Sequence, residues 1–181
     1  MAQGFDIVKI SGSNNAELVE ATDHALKVRE LSEFHQAALN GDAYAFFASY
    51  DITAADTLLY VCNNDAQKEL CIEKMFFSSD VVTSIEVGCH VTSGTPTGNA
   101  VVPTNLNRRS AKLANATCIS DQTEAHALLN VLTVSTGVGT PIQVDVGGAI
   151  VLGLNDCISV DVIAETGVAS ATIWGYFRDV A

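Results

Sequence analysis

The chain has 181 residues, 48% of them hydrophobic and only 17% charged, and its nine Lys and Arg against twenty-one Asp and Glu give a net charge of −12. A chain of this length suits one domain that buries roughly 70% of its unfolded surface, and its composition is too apolar for a disordered protein. Its apolar runs, such as Gly147–Leu154, fall far short of the roughly 20 residues that span a bilayer, and its acidity repels phosphate backbones and anionic lipid. Neither nucleic acid nor a membrane is therefore an expected partner, and the acidity serves either solubility or docking on a more basic surface.

The opening run Met1-Ala2-Gln3-Gly4-Phe5-Asp6 lacks a basic stretch followed by an apolar one, so no secretion signal is expected. On that reading the sequon Asn115-Ala116-Thr117 loses its meaning. The first forty residues hold few β-branched runs. Within them, Leu18, Val19, Ala21, Ala25, Leu26 and Val28 form a partial helical stripe, which fits a short helix between Asn14 and Leu31 or an irregular arm. The turn signal Asn40-Gly41-Asp42 closes this segment, so the expected division is an N-terminal arm over 1–42 and one domain over 43–181.

From Ala43 onward, short aromatic and β-branched runs alternate with Gly, Asn, Asp and Ser, the pattern of a sandwich or barrel. The expected strands are Ala43–Tyr50, Thr57–Asn63, Glu69–Ser78, Ile85–Val91, Asn99–Leu106, Asn115–Ser120, Leu128–Ser135, Pro141–Val146, Ala149–Leu152, Cys157–Glu165 and Ser170–Arg178. The clearest is Ile85–Val91, which places Ile85, Val87, Cys89 and Val91 on a buried face and Glu86, Gly88 and His90 on a wet one. Val146-Gly147-Gly148-Ala149 reads as a tight hairpin turn, since glycine tolerates positive φ. The last strand carries the only tryptophan, Trp174, and reads as a core strand.

No stretch of 10–15 residues after Ala43 has helical periodicity, which disfavours crossover helices and a parallel sheet. So many short strands do not make one flat sheet. The expected fold is therefore all-β: an antiparallel β-sandwich, jelly-roll-like, preceded by an arm that holds a short helix.

Few residues stand in a pattern that supports chemistry. The five cysteines, Cys62, Cys71, Cys89, Cys118 and Cys157, are odd in number and widely spaced, with no C-x-x-C pair. They read as buried reduced thiols acting as small hydrophobes. His24, His35, His90 and His126 stand in no ligand spacing, so no metal is expected. Asp51 with Asp56, and Asp121 with Glu124, are loop or turn carboxylates with nothing to mark a catalytic pair. Asp145 reads as a solvent-facing strand residue. Gly137-Val138-Gly139-Thr140 lacks the Lys-Ser/Thr pair and following helix of a phosphate loop and reads as a turn. No catalytic residue, cofactor or metal site is expected, and the chain is read as a non-enzyme. The sole basic cluster is Arg108, Arg109 and Lys112. In so acidic a chain it suits carboxylates of a neighbouring strand or subunit, or a solvated loop.

The stretch Gly94-Thr95-Pro96-Thr97-Gly98-Asn99-Ala100-Val101-Val102-Pro103-Thr104-Asn105-Leu106-Asn107-Arg108-Arg109-Ser110, followed by Ala114-Asn115-Ala116-Thr117, resembles a segment of virion proteins of tailed bacteriophages. There a Gly/Thr-rich turn leads through a Pro-x-Asn-x-Asn-Arg run to a small-residue strand. Asp56–Phe77 resembles a strand pair of those proteins and Val160–Phe177 their closing strands, so the likeness covers most of Ala43–Arg178. It implies a jelly-roll-like subunit, often trimeric, of the capsid decoration or cement protein family. Such a subunit is made in the host cytoplasm and held on the virion by contacts with the major capsid protein or other virion proteins. It also implies that the N-terminal segment is an arm gripping neighbours, and that Arg108, Arg109 and Lys112 serve inter-subunit contact. The alternative is a tail or fibre module that recognises host carbohydrate. That role needs exposed aromatics on loops, whereas most of the twelve aromatics fall inside expected strands.

Overall fold

A computed structural model describes residues 21–22, 25–26, 31–52, 56–91, 97–120, 129–163 and 167–180. It divides the chain into two compact units, Met1–Glu33 and Phe34–Ala181. In the first, β1 (Ala21–Thr22) and β2 (Ala25–Leu26) pair antiparallel. These four residues are extended where a helix is expected; the rest of that expectation, apart from Leu31, falls outside the described residues.

The helix lies further along, as α1 (Glu33–Asn40). Ser32 occupies the position where a hydroxyl residue favours helix initiation, and Glu33 places a carboxylate in the first turn. The helix ends in a Schellman motif. Gly41, at φ 78°, donates its N–H to Ala38 O at 3.2 Å, and Asp42 donates to Ala37 O at 2.8 Å. Phe34, Ala37 and Ala38, spaced for one helix face, pack against Ala43, Cys71, Leu106 and Tyr176. Most of α1 therefore belongs with the sandwich, although it falls within the expected arm.

Eight long strands build the sandwich: β3 (Ala43–Ile52), β4 (Asp56–Asn63), β5 (Lys68–Ser79), β6 (Thr83–Val91), β10 (Leu129–Thr136), β11 (Ile142–Leu152), β12 (Asp156–Val162) and β13 (Gly167–Asp179). Three short ones, β7 (Asn99–Ala100), β8 (Thr104–Asn105) and β9 (Ala116–Ser120), lie between β6 and β10. One sheet runs β10-β6-β12-β4-β9-β7 and the other β11-β5-β13-β3-β8. Within these orders β3 pairs with β13, β4 with β12, β5 with β11 and β6 with β10, all antiparallel. The first four long strands thus pair in nested order with the last four, like a folded ribbon wound on itself. That is the jelly roll expected from the strand spacing.

Three expected strands change. Asn99–Leu106 is not continuous: β7 pairs with β9 in one sheet, while β8 pairs with β3 in the other. Pro103 between them lacks the N–H that a continuing ladder would use. The expected hairpin at Val146–Ala149 is instead an excursion within a single strand. Ile142–Asp145 and Ile150–Leu152 both pair with β5, in one direction, leaving four residues of β11 opposite Glu73. Gly147 and Gly148 take φ of 57° and 77°. Positive φ serves a bulge as well as a turn, and the shared partner strand decides between them.

The core lies between the sheets. Phe46, Ile72, Phe77, Ile85, Val87, Ile158, Val160 and Ile173 are all buried there. Ile85 and Val87 take the inward positions expected of them. The opposite face of that sheet is not the wet one that the alternation implies: Gly88 is buried and Glu86 half-buried. Tyr60, Cys62, Cys157, Ser159 and Asp161 are buried as well. Trp174 is half-buried rather than in the core, although its strand β13 is central; its neighbours Ile173 and Phe177 supply the core contacts.

The cysteines also depart in part from expectation. Cys62 and Cys157 face each other across β4 and β12, Cα atoms 4.0 Å apart, and form a disulfide. Strand register brings together two thiols separated by 95 residues, which spacing alone does not reveal. Cys71, Cys89 and Cys118 form no disulfide. Burial pushes the Cys118 thiol up to about 12, so it stays protonated and serves as core.

Candidate assembly surface

The Pro-x-Asn-x-Asn-Arg run folds as a polar clasp over the end of α1. β8 aligns Asn105 beside Tyr44 on β3, and Leu106 continues the pairing by donating its N–H to Ala43 O at 2.9 Å. The Asn105 amide donates to Gly41 O at 2.9 Å and to Lys112 O at 3.0 Å, and its oxygen accepts from Asn107 N–H at 2.9 Å. Asn107 repeats the device one step on: its amide donates to Leu39 O at 2.9 Å and its oxygen accepts from Arg109 N–H at 3.1 Å. The bond to Leu39 O satisfies a carbonyl that the end of α1 leaves open. The bonds to Asn107 and Arg109 N–H explain the two asparagines at this spacing, since an Asx side chain bonds the backbone two residues on. Ser110 N–H closes the turn on Asn107 O at 2.9 Å.

Asp42 anchors the clasp by charge. Its carboxylate takes Lys68 Nζ at 3.2 Å from β5 and Lys112 Nζ at 3.0 Å from the clasp. Tyr44 donates its hydroxyl to Gly41 O at 3.1 Å. Burial first, and then the Asp42 charge, raise its pKa, which keeps it a donor.

The three expected contact residues therefore divide. Lys112 meets a carboxylate of its own chain. Arg108 and Arg109 are exposed on the turn, and no carboxylate among the described residues pairs with them. The sequence shows the asparagine run and the cations, but not Asp42 as their anchor, because Asp42 and Lys112 lie 70 residues apart.

Two further features depend on contacts that the sequence does not display. Asp161 on β12 lies opposite Thr57 of β4 and Glu86 of β6. Burial, with Glu86 and Asp56 nearby and only the Thr57 hydroxyl opposing, pushes its pKa up to about 6. Its Oδ1 and the Ser159 hydroxyl have no hydrogen-bond partner among the described residues. The other feature is an aromatic row on the outward face of the five-stranded sheet. Phe76 meets Trp174 edge-on at 5.1 Å, and Phe34 stacks on Trp174 at 6.3 Å. Phe47, opposite Thr172 on the adjoining strand, is 55% exposed. An aromatic inside a strand can thus still face outward.

Asp145 is exposed, as expected, and pairs with Lys74 at 3.1 Å. Gly137–Thr140 is a turn closed by Thr140 N–H on Gly137 O at 3.2 Å. His35 is exposed on α1. His24, His126, Asp121, Glu124 and the Gly94–Pro96 start of the resemblance lie outside the described residues. No cluster of three metal-ligating side chains occurs among the described residues, and no helix there is long and apolar enough to cross a membrane. No family model, no curated protein and no solved structure matches the chain, so the fold assignment stands on the strand pairing itself.

Proposed function

We propose that the chain is a structural protein of a bacteriophage particle, decorating or cementing the capsid through contacts with other virion proteins and with copies of itself. The phage assignment rests on the sequence resemblance, with its implied trimer and virion location. One observation of the molecule carries the structural role: a −12 chain holds two exposed arginines, Arg108 and Arg109, on a turn fixed by seven hydrogen bonds of Asn105, Asn107 and Ser110. Ordering that turn in advance lowers the entropy lost when a partner binds, and an arginine fork suits a carboxylate surface. Co-sedimentation with purified particles tests this. Wild type should pellet with them and the double variant Arg108→Glu/Arg109→Glu should not; equal pelleting of both would overturn the role given to the turn.

The outward aromatic row favours a second reading, recognition of carbohydrate, because a sugar's apolar face stacks on exposed rings. Glycan-array binding that Phe47→Ala abolishes, together with no particle affinity in the wild type, would establish that reading instead.

A further inference from the structure

The two sides of the sandwich are finished differently. Beyond β3 and β4 the chain adds β8 to one sheet and β9 with β7 to the other. On the opposite side β10 and β11 are, among the described residues, the last strands of their sheets, brought to the same side by the short connection of residues 137–141. Their inward residues are not sealed. Leu132, Val134, Val144, Val146 and Ile150 pack on the core but are only partly buried, whereas Ile72, Ile85 and Val87 on the neighbouring strands are 0% exposed. Outside them, Leu129 is 77% exposed, Val131 50% and Val138 65%.

An edge strand offers unpaired N–H and C=O groups, and proteins usually protect it with lysine, proline, a bulge or a short length. β10, Leu-Asn-Val-Leu-Thr-Val-Ser-Thr, has eight residues with no charge and no proline; its one bulge, between Asn130 and Leu132, lies near its start, and Leu132–Thr136 runs on in unbroken register with β6. The only charge on β11 is Asp145, already paired with Lys74. The Gly147-Gly148 excursion interrupts the second half of β11, so the open stretch is β10 with Ile142–Asp145.

We infer that this β10–β11 edge is where a second copy of the chain docks, closing the core on that side. This rests on the reading of the protein as an assembly subunit and names the surface through which it assembles. The occupant follows from charge and area. Two copies that each carry −12 repel at most approaches, whereas an edge with its single carboxylate already neutralised lets them meet without opposing like charges. Eight residues of strand extend about 27 Å, and with sheets about 10 Å apart and their side chains the strip offers on the order of 500 Å² a side. With the exposed Val138 turn, that is most of the roughly 800 Å² a side of a specific interface.

The test is the mass in solution by light scattering and sedimentation velocity, from nanomolar to high micromolar chain. Wild type should give a dimer or trimer of the 19.0 kDa chain. Leu129→Lys/Val131→Lys should be monomeric, with unchanged far-ultraviolet circular dichroism and a melting temperature no lower than that of diluted wild type. Since both residues are exposed, this variant is expected to fold. Arg108→Glu/Arg109→Glu should keep the oligomer even where it loses particles, so failure of the edge and failure of the particle reading are told apart. A wild type that stays monomeric at every concentration, or an edge variant that keeps the full oligomer, would overturn the inference.

Discussion

Replacing Asp161 with asparagine should stabilise the chain at neutral pH, by an amount that vanishes in acid. Burial holds the carboxyl's pKa at about 6, against 3.8 in the open chain. At about 1.4 kcal/mol per pKa unit, ionised Asp161 costs the fold about 3 kcal/mol. The sign follows from the raised folded value: below the unfolded pKa both states hold the proton and no cost arises, while between about pH 4 and 6 the folded state holds it longer. The wild type therefore loses this stability as pH rises through that window and carries the full cost above it. The carboxamide of the Asp161→Asn variant is neutral throughout, and it can donate as the protonated acid does. Urea unfolding of both chains at about pH 4 and about pH 7.5 measures the difference directly. A gain of about 3 kcal/mol at the higher pH that shrinks toward zero at the lower is expected. A gain equal at both pH values, or a loss at neutral pH, would refute the claim that Asp161 is ionised against its surroundings.

Removing the Cys62–Cys157 disulfide by Cys62→Ala/Cys157→Ala frees a loop closed over 95 residues, and the chain-entropy relation puts the cost at about 4–5 kcal/mol; guanidinium unfolding under oxidising conditions should show it, and reductant should narrow the gap between the two chains. Gly41→Ala sets a Cβ against the Ser110 side chain at a φ of 78°, so it should cost at least about 1–2 kcal/mol and expose the clasp amides of 105–112 to faster hydrogen exchange. Truncating residues 1–30 should lower particle attachment while leaving the melting temperature of the sandwich in place. Truncating to residue 42 should lower that temperature as well, because it strips Phe34 and Ala37 from Tyr176 and Cys71.

The long strands were legible because each carries short aromatic and β-branched runs with at least one face that must be buried. Ile85 and Val87 show this directly. What pairing alone decides was not legible. Val101-Val102 reads as part of a strand, yet the chain changes sheets there, since Pro103 cannot continue a ladder. Gly147 and Gly148 need positive φ in a hairpin or in an excursion, and only their shared partner β5 distinguishes the two. Asp161 alternates with Val160 and Val162 just as an exposed strand residue does, so its burial depends on what covers the second face of its sheet. At the candidate site the asparagine run and the three cations were visible. The carboxylate that captures one of them, Asp42, is remote in sequence and became a partner only when α1 ended at Gly41. The open edge had a weak signal, the uncharged β10, which means little until that strand is known to be last in its sheet.

Whether this chain works by assembling onto a particle can be read from quantitative mass spectrometry of purified phage particles produced by cells that make the chain. The chain should be present in the particles at hundreds of copies, in fixed ratio to the major capsid protein. Its absence from washed, intact particles, with the chain recovered in the soluble fraction, would contradict that role.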